Sequence, residues 1–304
     1  MIKLLFNFLI FPGFLFTVVF GLAACWIDRK VTARIQWRVG PPWYQPLMDI
    51  VKLSIKEITI PKTASKELFF FSPMIGLSAA TLVSMLVWLP NIDPASKGFS
   101  GDIIVVMYLL TLPAIAIILG ASASGNPLAS LGASREIKMV MAYELPFIIS
   151  LTVPIIKSHG LLRLSDIINY QVVNGSFVAS LSGMIALIVM IFCMQAKLGL
   201  VPFDASEAET EIMGGAFIEY SGMLLAIFKL TKAMLMVILP LFLITLFWQG
   251  FNFLSLWKYV ILLVIIILIR NTNPRVRIDQ AMRFFWGKMT LLAILAVLLA
   301  IKGM

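Results

Sequence analysis

Between Lys197 and Lys232 the chain sets Asp204, Glu207, Glu209 and Glu211 within eight residues and adds Glu219. It then places Lys229 and Lys232 three positions apart, on one helical face, inside an apolar segment. Carboxylates this close raise one another's pKa, so a proton can be shared among them and moved, and amines alongside can take part in the exchange. A charge at the bilayer centre costs roughly 3 kcal/mol or more, so such residues turn toward a protein interior or a water-filled path. The stretch reads as part of an ion or proton route. A plain solvated turn is the competing account. It fits less well because Pro202 and Phe203 interrupt the polarity before the run, and Gly214 with Gly215 lets backbone pack closely after it.

The elements that must position these groups are membrane helices. Of 304 residues, 61% are hydrophobic and 13% charged, against roughly 45–50% and 25% in soluble domains. The expected fold is an all-α polytopic membrane protein forming a single transmembrane domain over residues 1–304. Apolar segments fall at about 4–27, 68–90, 103–124, 139–156, 177–196, 216–247, 259–269 and 289–301, which makes about eight spans. The first is too long for a signal peptide and is kept as a span. Most Lys and Arg lie in alternate loops, about 28–67, 125–138, 197–219 and 270–288. By the positive-inside bias these loops are cytoplasmic in the cell membrane, with both termini outside. The net charge of +9 then records orientation, and nucleic-acid binding is set aside.

The first of these loops carries Asp28, Arg29, Lys30, Arg34 and Arg38, and turns at Gly40, Pro41 and Pro42. From Pro46, the residues Leu47, Ile50, Val51, Ser54 and Ile58 share one side of a helix, while Asp49, Lys52 and Lys56 share the other. This predicts an amphipathic helix that lies along the membrane surface or roofs a cavity. The next charge-rich loop holds Arg135, Glu136 and Lys138 and leads into a span containing Glu144, with Pro146 two residues on. A carboxylate there needs a partner, and the proline frees carbonyls for other bonds. Lys157, His159, Arg163 and Asp166 are expected in a solvated external connection. With helix six beginning near Ala216, Lys229 would lie about 20 Å along it, too deep for easy snorkelling. Cys25 and Cys193 sit in apolar spans and read as small buried hydrophobes. His159 is the single histidine, so no histidine cluster exists for a metal or haem.

The charge-rich loops resemble, in order, those of the membrane anchor subunit of complex I and its hydrogenase relatives. The matching pieces are ARIQWRVGPPWYQPLMDIVKL, LGASREIKMVMAYELP, VPFDASEAETEI with FIEYSG, and NPRVRIDQAMRFFW, which together cover nearly the whole chain. GASRE preceded by SGNP looks like the membrane-bound nickel-iron hydrogenase branch. The quinone-reducing branch resembles GALR there and carries a Glu-Thr-Asn-Arg run ahead of its Pro-Phe-Asp. Here Lys197, Leu198, Gly199 and Leu200 occupy those places, with Lys197 for the glutamate and Leu200 for the arginine. The resemblance favours a ferredoxin-linked hydrogenase or its relative that reduces sulfur compounds.

The resemblance implies that this chain binds no redox cofactor and no metal. Iron-sulfur clusters, and a nickel-iron centre in the hydrogenase branch, would sit on peripheral-arm partner subunits, with antiporter-like membrane subunits alongside and membrane lipid around. Glu144, Asp204, Glu207, Glu209, Glu211, Glu219, Lys229 and Lys232 would carry protons or sodium ions. Arg34, Arg38, Asp49, Lys52, Arg135, Glu136, Arg275, Arg277 and Asp279 would structure the loops and dock the arm. Two other classes remain in view. A secondary transporter would show internal repeats, and no convincing one is visible. A membrane enzyme acting alone would need a nucleophile with its base, or a metal-ligand set, and neither is present.

Overall fold

The computed structural model describes residues 2–92, 98–249 and 255–303, apart from the side chains of residues 2, 3, 209 and 210, and every regular element described is helical. The chain enters through α1 (Ile2–Leu9) and turns at Pro12 and Gly13. It continues in α2 (Phe14–Ile35), the short α3 (Gln45–Ile55), α4 (Lys66–Ile92) and the paired segments α5 (Asp102–Leu109) and α6 (Leu112–Ala123). Next come α7 (Pro127–Lys157), α8 (Leu164–Asn174), α9 (Leu181–Lys197), the short α10 (Glu209–Ile212), α11 (Gly222–Phe247) and α12 (Ser255–Thr272). Last, α13 (Ile278–Arg283) passes through a π-helical stretch, Phe284–Met289, into α14 (Thr290–Ile301). Seven helical segments among the described residues are long and apolar enough to cross a membrane, and α9 is a shorter eighth. The protein is thus an all-α polytopic membrane protein.

Apart from Lys229 and Lys232, helix α11 is largely apolar, as a helix mostly buried among others should be, and it packs against α2, α3, α4, α8, α9 and α12. Lipid tails are as apolar as leucine, so close van der Waals approach holds such helices together. Gly21 of α2 provides it: a Cβ there would come within 2.5 Å of the Ala233 carbonyl oxygen on α11. This contact brings the α11 lysines beside the charged end of α2.

Several boundaries differ from those expected, each for a local reason. Helix α2 runs on to Ile35, past the expected loop start at Asp28, because the polar groups of that end find partners. Arg270 of α12 pairs with Asp28, and Asn271 donates to Thr32 Oγ1 at 3.1 Å. The loop expected at 125–138 is mostly helix. Asn126 caps α7 by accepting from Leu128 N at 2.8 Å, Pro127 sits at the first helical position, and Ala129 and Ala133 pack against Ala216. Helix α11 begins at Gly222 rather than near Ala216. Gly222 has φ +61° and lies so close to the Lys56 carbonyl that a Cβ would stand 2.7 Å from it, so the chain reverses there before the helix can start. Lys229 is therefore about 10 Å along α11 and Lys232 about 15 Å, nearer the helix start than expected.

The connection after α7 is not a simple solvated loop. It contains α8, whose buried Gln171 donates to the carbonyls of Thr245 and Leu246 at 3.1 and 3.0 Å and thereby satisfies the C-terminal end of α11. Helix α3 forms where expected but ends at Ile55, short of Ile58, and is rotated. Asp49 turns inward with Pro46 and Ile50, while Leu47 and Val51 are 51% and 41% exposed. Asp49 faces in because its partners are there: Arg29 at 2.6 Å and Gln45 at 3.0 Å.

Candidate functional site: two cavities sharing an ion pair

Beneath α3, between α2, α11 and the segment after α9, lies a chamber of about 470 Å³. Asp28, Asp49, Asp204 and Glu207 line it together with Arg29, Lys229, Lys232, Arg270 and Arg275. The charges come almost entirely as pairs. Arg29 meets Asp49 at 2.6 Å, Arg270 meets Asp28, and Lys232 meets Glu207. Arg275 grips Asp204 with two bonds, Nε to Oδ1 at 2.8 Å and Nη2 to Oδ2 at 2.5 Å, the geometry that a planar guanidinium favours. That fork joins the loop after α9 to the loop after α12, and Val276 N donates to the Pro202 carbonyl at 3.0 Å beside it. Among the described residues Lys229 is the lining base outside an ion pair. Burial pushes the Asp49 carboxyl up, but bonds from Arg29 and Gln45 and the charges of Arg29 and Lys229 outweigh it, so Asp49 titrates below its ordinary value.

A second cavity, far smaller, lies deeper. It leaves about 20 Å³ and is lined by Glu136, Lys197, Glu207 and Lys232 among apolar neighbours such as Phe228 and Leu235. That is room for about one water, with enough polar partners to hold it. Glu207 and Lys232 face both cavities, as do Leu198 and Gly199. The Ser206 hydroxyl lies beside Glu136.

On the far side of the small cavity, Lys197 Nζ lies 2.8 Å from Glu144 Oε2 and over the rings of Tyr143 and Phe147, at 5.0 and 4.6 Å from their centroids. Glu144, about 25 Å along α7 from its first residue, thus has the partner its position demands. Polar groups therefore run from the chamber through Glu207 and Lys232, across the small cavity past Glu136, to Lys197 and Glu144.

The remaining sequence-predicted residues fall elsewhere. Glu219 accepts from Asn126 Nδ2 at 2.6 Å near the start of α7 and lines neither cavity. Glu211 is exposed and pairs with Arg135 at 2.6 Å, and Arg135 also reaches the Ala205 carbonyl at 3.3 Å. The side chain of Glu209 lies outside those described. Arg34, Arg38, Lys52, Arg277 and Asp279 are exposed, and between the first two stands Trp37 with 98% of its surface free. Sequence reasoning left Lys197, Asp28, Arg29 and Arg270 out of the site. For Lys197 and Arg270 the signal was the one used for Glu144, a charge on an apolar helix with no close neighbour in sequence to neutralise it, whereas Asp28 and Arg29 are adjacent opposite charges and gave no such signal. Among the described residues no group of three or more His, Cys, Asp or Glu gathers as metal ligands; Cys193 is buried and Cys25 half-buried, and both are free thiols.

Comparison with known proteins adds a family. The family model described as NADH dehydrogenase matches residues 7–301. The H-type subunit of the NADH-quinone oxidoreductase of Anoxybacillus flavithermus is 33% identical over 288 residues, spanning 88% of this chain and 84% of its own. Its counterpart in Thermomicrobium roseum is 33% identical over 329 residues, spanning 97% and 95%. Among solved structures, a chain of the membrane-bound sulfane sulfur reductase, an archaeal respiratory membrane complex, superposes with a TM-score of 0.88 at 29% identity, covering 99% of this chain and 100% of that one.

Proposed function

This chain belongs to the NADH dehydrogenase family as an H-type membrane subunit of a complex I-like respiratory oxidoreductase, and on that premise we propose that it couples electron transfer in a peripheral iron-sulfur arm to movement of protons or sodium ions. The observation that carries the reading is the Glu207–Lys232 pair, which faces the open chamber on one side and the enclosed cavity holding Lys197 on the other. The arm would dock over the charged loops through Arg34, Arg38, Lys52, Arg277 and Asp279. Clusters, and any nickel-iron centre, would be held by partner subunits, with antiporter-like membrane subunits beside this one. The charged loops would face the cytoplasm and both termini the outside of the cell membrane.

The mechanism follows from pairing. A redox change in the arm alters charge beside the chamber, whose acids and bases nearly balance, so neutral pairs re-form with new partners instead of leaving a bare charge in a medium of low dielectric. Lys232 lies within the electrostatic reach of Glu136 as well as bonding Glu207. A shift of Lys232 toward Glu136 frees Glu207 to take a proton from the chamber. A water in the small cavity can then relay a proton toward the Lys197–Glu144 pair. The bistable element is the Asp204–Arg275 link between the two loops. Glu211 and Glu219 would act at the ends of this path, Glu211 toward the arm and Glu219 at the start of α7.

The electron acceptor favoured is a proton or a sulfur compound, with ferredoxin as donor, given Lys197 and Leu200 where the quinone branch has an acid and an arginine and given the likeness to the sulfane sulfur reductase chain. A quinone cavity is the second reading, favoured by the chamber's volume, which would admit a ring of that size.

The test is the assembled complex in sealed membrane vesicles, with Glu136→Gln and Glu144→Gln. Electron transfer from reduced donor is expected to persist while donor-driven ion uptake falls at least tenfold. Full uptake in both variants would remove these residues from the path.

A further inference from the structure

Behind the loop that carries Asp204 there is a third opening, a crevice of about 560 Å³ separate from the charged chamber. Its wall is aromatic: Phe284 stands 5.4 Å from Phe192 and 5.8 Å from Phe203, centroid to centroid. Its rim carries Arg283 and Lys288, both exposed, and among the described residues no acidic one lines it. Neither base has an ion-pair partner among the described residues. Two cations without counterions above three phenylalanine rings call for a ligand with an anionic head and an apolar body.

The surface below the rim says what that body is. From Lys288 the residues Leu291, Leu295 and Leu298 follow at helical spacing and are 67%, 45% and 56% exposed. On α9, packed beside α14, Met184 and Ile188 are 46% and 45% exposed in line with Phe192. The crevice therefore opens at its lower end onto a strip of membrane-spanning surface that faces outward on two adjacent helices. Arg283 and Lys288 stand in the first half of the Ile278–Ile301 span, at its charged-loop end, from which long basic side chains can reach headgroups.

We propose that this crevice seats one anionic phospholipid. Its phosphate lies on the Arg283 guanidinium and the Lys288 ammonium, its glycerol region against Phe192 and Phe284, and its chains down the seam between α9 and α14. The site reaches the charged chamber through one residue. Phe203 forms the crevice wall, and the next residue, Asp204, is gripped by Arg275 on the chamber side. A lipid in place presses Phe203 and holds the two loops in the arrangement that keeps this pair closed, so occupancy favours the coupled state.

The experiment compares the detergent-purified complex carrying the wild-type chain with one carrying Arg283→Gln and Lys288→Gln. Native mass spectrometry is expected to find one anionic phospholipid per complex fewer in the variant, with the subunit composition unchanged. Stripped of bound lipid and then reconstituted in phosphatidylcholine vesicles, both should give equal donor-driven ion uptake, and adding phosphatidylglycerol should raise it several-fold in the wild type alone. Equal lipid retention and an equal phosphatidylglycerol response overturn the proposal. So does a rise produced in plain phosphatidylcholine by inorganic phosphate, which would make the site one for a free anion. Loss of a partner subunit from the variant overturns it as well, by making the crevice a protein interface.

Discussion

Lys197 Nζ and Glu144 Oε2, from α9 and α7, stand 2.8 Å apart with the lysine side chain 2% exposed and the glutamate 20%. Removing one member of such a pair leaves the other buried and unbalanced, at a cost of about 3–5 kcal/mol, whereas replacing both with apolar groups of like volume is often near neutral. Lys197→Met is therefore expected to lower the melting temperature of the complex more than Lys197→Met with Glu144→Leu. A double variant less stable than the single one would show that the pair contributes net stability.

The Asp204–Arg275 fork ties together segments 71 residues apart. Asp204→Asn should weaken it by about 1.5–3 kcal/mol, the range for hydrogen bonds to charged groups. The loop after α9 should then be cut faster by protease in the isolated complex. Arg275→Lys should behave like the asparagine variant, because an ammonium cannot reproduce two parallel bonds. Protease resistance equal to wild type in both would show that the fork does not hold the loop.

Gly222, with φ +61° and the Lys56 carbonyl against it, marks the start of α11. Gly222→Ala should cost about 1–3 kcal/mol through backbone strain and displacement of the segment after α3. Thermal unfolding of the complex checks this. An unchanged melting temperature would mean that the segment moves away freely.

Asp49 titrates below its ordinary value because Arg29 and Gln45 bind its charged form and Lys229 lies near. A depressed carboxylate contributes stability that is complete above the unfolded value of about 3.9 and is lost as pH falls through the lower folded value. The α3 roof should therefore loosen below about pH 4, seen as faster hydrogen exchange over Gln45–Ile55. Asp49→Asn should abolish that pH dependence and give fast exchange at neutral pH also. Identical exchange in the two proteins at neutral pH would deny Asp49 this role.

The eight spans and the helix after Pro46 were legible in the chain, because hydropathy and helical periodicity are local, and Glu144 stood out against them as a charge inside an apolar helix. Which charges meet was not. Asp28 and Arg270 are 242 residues apart, and Lys197 reaches Glu144 across 53. No periodicity encodes such meetings; they depend on how the helices cross, which Gly21 and the small residues of α7 help to decide. The acidic run shows the same limit. Its carboxylates looked like one cluster, yet the turns at Gly215 and Gly222 send Glu207 inward, leave Glu211 at the surface and put Glu219 against Asn126. Composition alone determined that the chain lives in a membrane with titratable groups inside it. Only tertiary packing decided which of them share a cavity, because in a low-dielectric interior each buried charge settles beside whichever counter-charge the fold brings within reach.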